Sequence, residues 1–187
     1  MSIRLAILGM LMAGNTYAQI PAQTLPDFTF YRLDKSAFTN RDLPSGKMYF
    51  FLFFDSDCDH CQRAVKNIDQ QYQSFQNTLI CLISVDDHDK IDRFVNTYAQ
   101  HLKNKKNVVL LQDNLNQFIP RFKPYKYPSM YLYSTDKKLI DYEDNEATVF
   151  RIVHTIHGSL LIGYFMPAPG QTIHQFTCFR NKNRFLQ

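Results

Sequence analysis

Cys58-Asp-His-Cys61 is where residue types and spacing in this sequence describe a reaction. Two thiols three positions apart can close into a disulfide and reopen, provided that they share one helical face. The neighbouring residues supply that condition. Met48-Tyr-Phe-Phe-Leu-Phe-Phe54 reads as a strand covered on both faces, it stops at Asp55-Ser-Asp57, and helical sequence follows from about Asp59. Cys58 therefore falls at a helix start, where unpaired backbone N–H groups and the helix dipole favour an anion. A cysteine so placed is held partly as thiolate, the form that attacks disulfides. Cys61 lies one helical turn on, beside it. The expected chemistry is an attack by Cys58 on a substrate disulfide, with Cys61 then resolving the mixed disulfide; run backwards, the same steps oxidise a dithiol.

The flanking charges pull in opposite directions. Protonated His60 and the helix start favour the Cys58 thiolate, whereas Asp57 and Asp59 oppose it, so the three residues tune the pair without fixing its direction. A C-x-x-C is also half of a zinc site, but zinc requires four ligands. No second C-x-x-C exists, and His154 with His157 is the one other closely spaced candidate pair. Neither a metal nor a cofactor is expected.

The elements that must hold the pair alternate. The helix expected from about Asp59 to Gln76 buries Val65, Ile68, Tyr72 and Phe75 on one face. Leu79–Val85 is a second apolar strand, Asp89–Leu102 its helix, Val108–Leu111 a third strand and Asp113–Phe122 a short helix. Met130–Tyr133 and Leu139–Tyr142 form a hairpin, and Ala147–Ile156 is the last helix. Short strands around Phe28–Tyr31 precede the set. Strands and helices in alternation indicate an α/β domain.

Composition narrows the partners. The chain has 187 residues, 45% hydrophobic and 20% charged, which excludes a disordered or repetitive protein. Its net charge is +4, and the densest basic patch, Lys103, Lys105 and Lys106, is too small for a nucleic-acid surface. Residues 1–18 carry one early charge, Arg4, a short apolar run from Leu5 to Ala13, and the small residues Thr16 and Ala18. That is the layout of a signal peptide, about ten apolar residues where a membrane span needs about twenty. A buried N-terminal helix is the competing reading. Export, to a compartment such as a bacterial periplasm, would place all four cysteines where disulfides form and are managed. No membrane span is expected in the mature chain.

Over residues 24 to 157 the sequence resembles the thioredoxin-like proteins of the TlpA/ResA branch, the exported thiol–disulfide oxidoreductases. The resemblance rests on Leu25-Pro-Asp-Phe28, Gly46-Lys47 before the strand, strand–Cys58-x-x-Cys61–helix, and Tyr127-Pro128-Ser129 before Met130–Tyr133. It implies a central mixed sheet flanked by helices, an N-terminal strand extension, and a helix–strand insertion over about residues 86 to 111. It further implies that Pro128 is cis, packs against the cysteine pair, and helps the Tyr127 backbone to align substrate. Protein thiols or disulfides would be the substrates, with an upstream redox partner restoring the pair. Residues 19–157 would form the domain and 158–187 an extension of unassigned role.

Three positions depart from the branch: Asp57 stands where Trp is usual, Leu52 where thioredoxins bury an acid, and Ala64 where the branch often has Glu. The usual acceptor of the Cys61 proton is thus missing from both places. A thiol peroxidase is an alternative, because peroxiredoxins share this fold. They need Thr or Ser three residues before the cysteine and Pro seven before, and here those positions hold Asp55 and Phe51. A non-catalytic metal- or thiol-binding module is the third reading. Cys81, inside an apolar strand, reads as a buried structural thiol; Cys178 in the tail is either structural or free to pair with another chain. His88 and His101 read as surface.

Overall fold

The computed structural model describes residues 20 to 165, with side chains as far as 158. The signal-peptide segment 1–18, Cys178 and most of the 158–187 extension lie outside the described residues. Seven strands, β1 (Thr29–Arg32), β2 (Ala37–Thr39), β3 (Met48–Phe53), β4 (Thr78–Ser84), β5 (Val108–Gln112), β6 (Ser129–Tyr133) and β7 (Leu139–Glu143), form one sheet. Its order is β2-β1-β5-β4-β3-β6-β7. β3, β4 and β5 run parallel, and β6 returns antiparallel to β3, pairing Leu52 with Met130 and Phe53 with Ser129. The mixed sheet with flanking helices is the expected thioredoxin-like arrangement.

The unbroken apolar run of β3 has a plain use. Side chains alternate across a strand, so Phe50, Leu52 and Phe54 enter one core, with Val65, Ile68, Ile91 and Ile152 from the helices. Tyr49, Phe51 and Phe53 enter the other, with Phe28, Phe30, Phe118 and Phe122. The second core is mostly aromatic. Phe118 stacks on Phe53 with ring centroids 4.2 Å apart and on Phe122 at 4.1 Å. Cys81 belongs to this core and is fully buried, as expected; burial pushes its thiol far up, so it stays a thiol.

The helices are α1 (Asp59–Gln70), α2 (His88–Tyr98), α3 (Phe118–Phe122) and α4 (Val149–Phe165). Several bounds differ from the sequence reading, and the helix expected over Asp89–Leu102 ends already at Tyr98. The first helix ends at Gln70 and gives way to a 3-10 turn, Tyr72–Phe75, which still buries Phe75. The stretch from Asp113 begins as a turn, because the Asp113 carboxylate accepts from Gln117 N–H at 2.9 Å and Phe118 N–H at 2.7 Å, and helix starts at Phe118. The last helix continues past Ile156 and Gly158 to Phe165. His88 is half-buried, with Nε2 enclosed and unpartnered, where a surface position was expected. No helix among the described residues is long and apolar enough to cross a membrane.

The insertion is α2 with β5. It widens the parallel part of the sheet, and β1 then pairs antiparallel with the outer side of β5. The ends of β3 and β4, the start of β6 and the start of α2 meet at one edge of the sheet.

Candidate active site

The site grows from the end of β3. The chain leaves the sheet after Phe54 and turns through Asp55-Ser-Asp57, where the Asp55 carbonyl accepts from Cys58 N–H at 3.2 Å. The Asp55 carboxylate accepts from Asp57 N–H at 2.8 Å. Cys58 is the N-cap of α1, with extended backbone (φ −85°, ψ 116°), and its sulfur makes no capping hydrogen bond. It is half-buried, whereas Cys61, in the third helical position, is fully buried. Both are free thiols, one helical turn apart, and Cys58 is among the groups that raise the Cys61 thiol. One sulfur is accessible and its partner waits behind it.

Burial, above all, pushes the Cys61 thiol far up; the charges of Cys58 and Asp55 add to this, and the Asp55 backbone N–H directed at the sulfur opposes it. Leu52 and Ala64, the two positions without the usual acid, are wholly buried and apolar. The carboxylate that bears on Cys61 is instead Asp55, from the connecting loop.

The expected tuning residues diverge. Asp57, with 80% of its side chain exposed, turns to Lys90 of α2, Oδ2 to Nζ 2.7 Å. Lys90 also reaches Asp86 at 3.0 Å; hydrogen bonds from both carboxylates hold its ammonium above the usual range. Asp86 anchors the loop by accepting from Ser56 N–H and from the Ser84 hydroxyl, both at 3.0 Å. Burial opposes the charge on Asp86, yet the bonds from Lys90, Ser56 and Ser84 hold its carboxyl below the ordinary value of 3.8. Asp59 is exposed at the first helical position. His60 points to Glu146, Nδ1 to Oε1 2.9 Å.

Pro128 is buried and its peptide bond with Tyr127 is cis. The Tyr127 ring lies 4.8 Å from that of Phe53, at the end of β3. Burial, then the nearby charges of Asp55 and Cys61, push its phenol up to about 12, so it remains a neutral donor. Cys58, Cys61, Asp55 and Tyr127 thus share one end of the sheet. The sequence reading singled out the two cysteines and Tyr127. It passes over Asp86, Lys90 and Glu146 altogether, and takes Asp55 only as the end of the first strand and as a non-threonine. The one available signal was the density of acids in Asp55-Ser-Asp57 and Asp86-Asp87, each just after a strand.

The model of the AhpC/TSA family matches residues 21–142. No curated protein sequence matches the chain. Among solved structures, a putative thiol:disulfide interchange protein DsbE from Chlorobium tepidum aligns at TM-score 0.62 and 14% identity, over 76% of this chain and 99% of that one. Peroxidoxin BcpB from Mycobacterium tuberculosis aligns at TM-score 0.62 and 14% identity, over 74% and 96%. A secreted Mycobacterium tuberculosis disulfide oxidoreductase homologous to E. coli DsbE aligns at 0.57 and 18%, over 70% and 95%. At such identities the likeness is one of fold.

Proposed function

The chain belongs to the AhpC/TSA family, and from that premise we propose that it is a thiol–disulfide oxidoreductase acting on cysteines of other exported proteins. The observation that carries this reading is the unequal thiol pair, half-exposed Cys58 at the N-cap of α1 and buried Cys61 one turn behind it. A peroxidatic cysteine needs no second thiol one helical turn away. An exchange enzyme does.

In the proposed cycle the Cys58 thiolate attacks one sulfur of a substrate disulfide. A Cys58–substrate disulfide forms, and the other substrate sulfur leaves as thiolate and takes up a proton. Cys61 then loses its proton to Asp55 and attacks the Cys58 sulfur. The substrate's second sulfur departs, the substrate has gained two electrons, and Cys58–Cys61 is a disulfide. An upstream dithiol partner reduces it again. In the opposite direction the same steps oxidise a substrate dithiol. The substrate chain would lie along the Tyr127 backbone, beside cis Pro128. Among family branches this reading corresponds to TlpA/ResA, with residues 1–18 as the export signal.

A second reading, a thiol peroxidase, is favoured by the family match and by the likeness to peroxidoxin BcpB. One preparation separates the two. Cys61→Ser incubated with a disulfide-bonded protein such as insulin is expected to accumulate a mixed disulfide at Cys58, while the wild type reduces insulin when dithiol is supplied. Catalytic consumption of hydrogen peroxide that survives Cys61→Ser, without mixed disulfides, would establish the peroxidase instead.

A further inference from the structure

The end of the sheet away from the cysteines holds a cavity of about 600 Å³ lined by Lys47, Lys105 and Lys106, with Tyr72, Gln76 and Asn107 among its walls. Lys47 directly precedes β3, and Lys105 and Lys106 lie in the loop that enters β5. The lysines thus stand where the parallel strands begin, and Cys58 where they end. Among the described residues no acid lines the cavity, and none of the three lysines is in an ion pair. The walls are fixed. Asn107 Nδ2 donates to the Phe75 and Thr78 carbonyls at 2.9 and 2.8 Å, and the Tyr72 hydroxyl donates to Asn107 Oδ1 at 2.7 Å. Lys105 Nζ lies 5.0 Å from the centroid of the Tyr72 ring, and Lys47 Nζ 3.5 Å from the Gln76 carbonyl oxygen.

α4 runs toward the same end. Arg151 Nε lies 3.0 Å from the Glu143 carboxylate, and one turn on the Thr155 hydroxyl donates to Asp141 at 2.9 Å. Glu143 pairs with Met130 at the start of β6, and Leu139 with Tyr133 at its end. The helix therefore follows β7 backwards, away from the cysteines. Tyr133 pairs with Tyr49 and Tyr49 with Leu79, which lines the lysine cavity. Ile152 and Ile156 are still buried in the core that holds Phe75. Gly158 is past it, since a Cβ there would meet no atom within 4 Å. The helix nevertheless continues to Phe165, about 10 Å further at 1.5 Å per residue.

The sequence of this continuation has a definite character. From Gly158 to Phe179 it contains no Lys, Arg, Asp or Glu and includes Leu160-Leu-Ile162 and Tyr164-Phe-Met166. Arg180, Lys182 and Arg184 follow. Glu146 is the last acidic residue of the chain, and the four charged residues after it, Arg151 and these three, amount to the whole formal net charge of +4. Apolar residues beside clustered cations suit an anionic lipid surface, where apolar side chains enter the headgroup boundary and each cation adds attraction. About 10 Å of helix is far short of a hydrocarbon core of about 30 Å, so the contact is peripheral.

We propose that this end of the domain docks on anionic phospholipid, Lys47, Lys105 and Lys106 binding headgroup phosphates and the apolar stretch after Gly158 seated beside them. The cysteine pair, at the other end of the strands, then faces away from the lipid. The proposal is independent of the dithiol reading, because neither Cys58 nor Cys61 takes part in it.

Cosedimentation of the full chain with vesicles tests it, using equal parts of phosphatidylcholine and phosphatidylglycerol against phosphatidylcholine alone. Residues 1–18 are common to all variants and drop out of the comparison. Binding to the mixed vesicles is expected to be at least tenfold tighter and to fall steeply between about 50 and 300 mM NaCl. Lys47→Gln, Lys105→Gln and Lys106→Gln together should weaken it about 10²-fold, about fivefold for each lysine. The corresponding triple change to Arg should retain it. Wild-type melting temperatures would verify that both triple variants are folded. Leu160→Gln with Leu161→Gln should weaken binding while its salt dependence remains. Equal binding to both vesicle types, or a Gln triple variant that binds as the wild type does, would overturn the proposal. Displacement by inorganic phosphate beyond that by NaCl of equal ionic strength would also overturn it, assigning the cavity to a soluble anion. So would a dimer, seen by sedimentation without lipid, that the Leu160→Gln and Leu161→Gln changes dissociate, since a second copy would then cover the apolar stretch.

Discussion

A thiol as deeply buried as Cys61 yields its proton only to a base within reach, and both usual positions for one are apolar here, Leu52 and Ala64. In the proposed cycle Asp55, whose charge bears on Cys61, takes that part from the loop side. Asp55→Asn is a clean probe, because the amide oxygen can still accept from Asp57 N–H and preserve the turn. Resolution of the mixed disulfide is expected to slow by about 10²-fold at pH 7, the scale of lost general-base catalysis. The deficit should shrink as pH rises and hydroxide takes over the deprotonation. Stopped-flow resolution rates from pH 6 to 10 check this; a deficit constant across that range would mean that Asp55 is only structural. The cysteine pair and Tyr127-Pro128 were legible in the sequence, since each is a local pattern at a strand boundary. Asp55 was legible as a residue and illegible as a base, because nothing local says that its loop folds back over Cys61.

At the scale of elements, the loop between β3 and α1 is held by α2 and by the loop after β4. Asp86 satisfies the buried Ser56 N–H from 30 positions away and meets Lys90, which in turn holds Asp57. Such contacts depend on where β4 lies in the sheet, so sequence spacing could not reveal them. For the same reason Asp57, expected to oppose the thiolate, is instead paired with a lysine. The Asp57–Lys90 pair is largely exposed and adds little to stability. Asp86 is different. Asp86→Ala leaves a buried N–H unpaired and should cost about 1–3 kcal/mol in urea unfolding. Its pH signature has a definite sign. The folded carboxyl is depressed below 3.8, so acid protonates the unfolded chain first. The stabilisation is complete well above that value and is lost as pH falls through it toward the folded value. Urea midpoints between pH 6 and pH 3 should fall for the wild type, and the Asp86 share of that fall should be absent in Asp86→Asn.

For the molecule as a whole, two cores on opposite faces of one sheet do separate work. The helical face carries Cys61, α1 and α4 and so determines the chemistry. The aromatic face locks β3 to the N-terminal strands and α3. The alternation of strands and helices was readable because each apolar run is long and bounded by polar turns. That β1 pairs with β5 was not, because the partners, Tyr31 with Gln112 and Arg32 with Leu111, lie far apart in the sequence. Phe118, stacked between Phe53 and Phe122, is the keystone of the second core. Phe118→Ala should cost about 3–5 kcal/mol in denaturant unfolding while leaving the glutathione equilibrium of the folded protein unchanged.

The central claim is that Cys58 and Cys61 form a working dithiol. Titration of the purified protein against glutathione redox buffers, with free thiols counted by mass after alkylation, tests it most directly. A single reversible two-electron transition is predicted, with exactly these two cysteines protected together, and with the transition lost in Cys58→Ser and in Cys61→Ser. Alkylation of both cysteines in every buffer, or oxidation of Cys58 alone with Cys61 unaffected, would contradict the account.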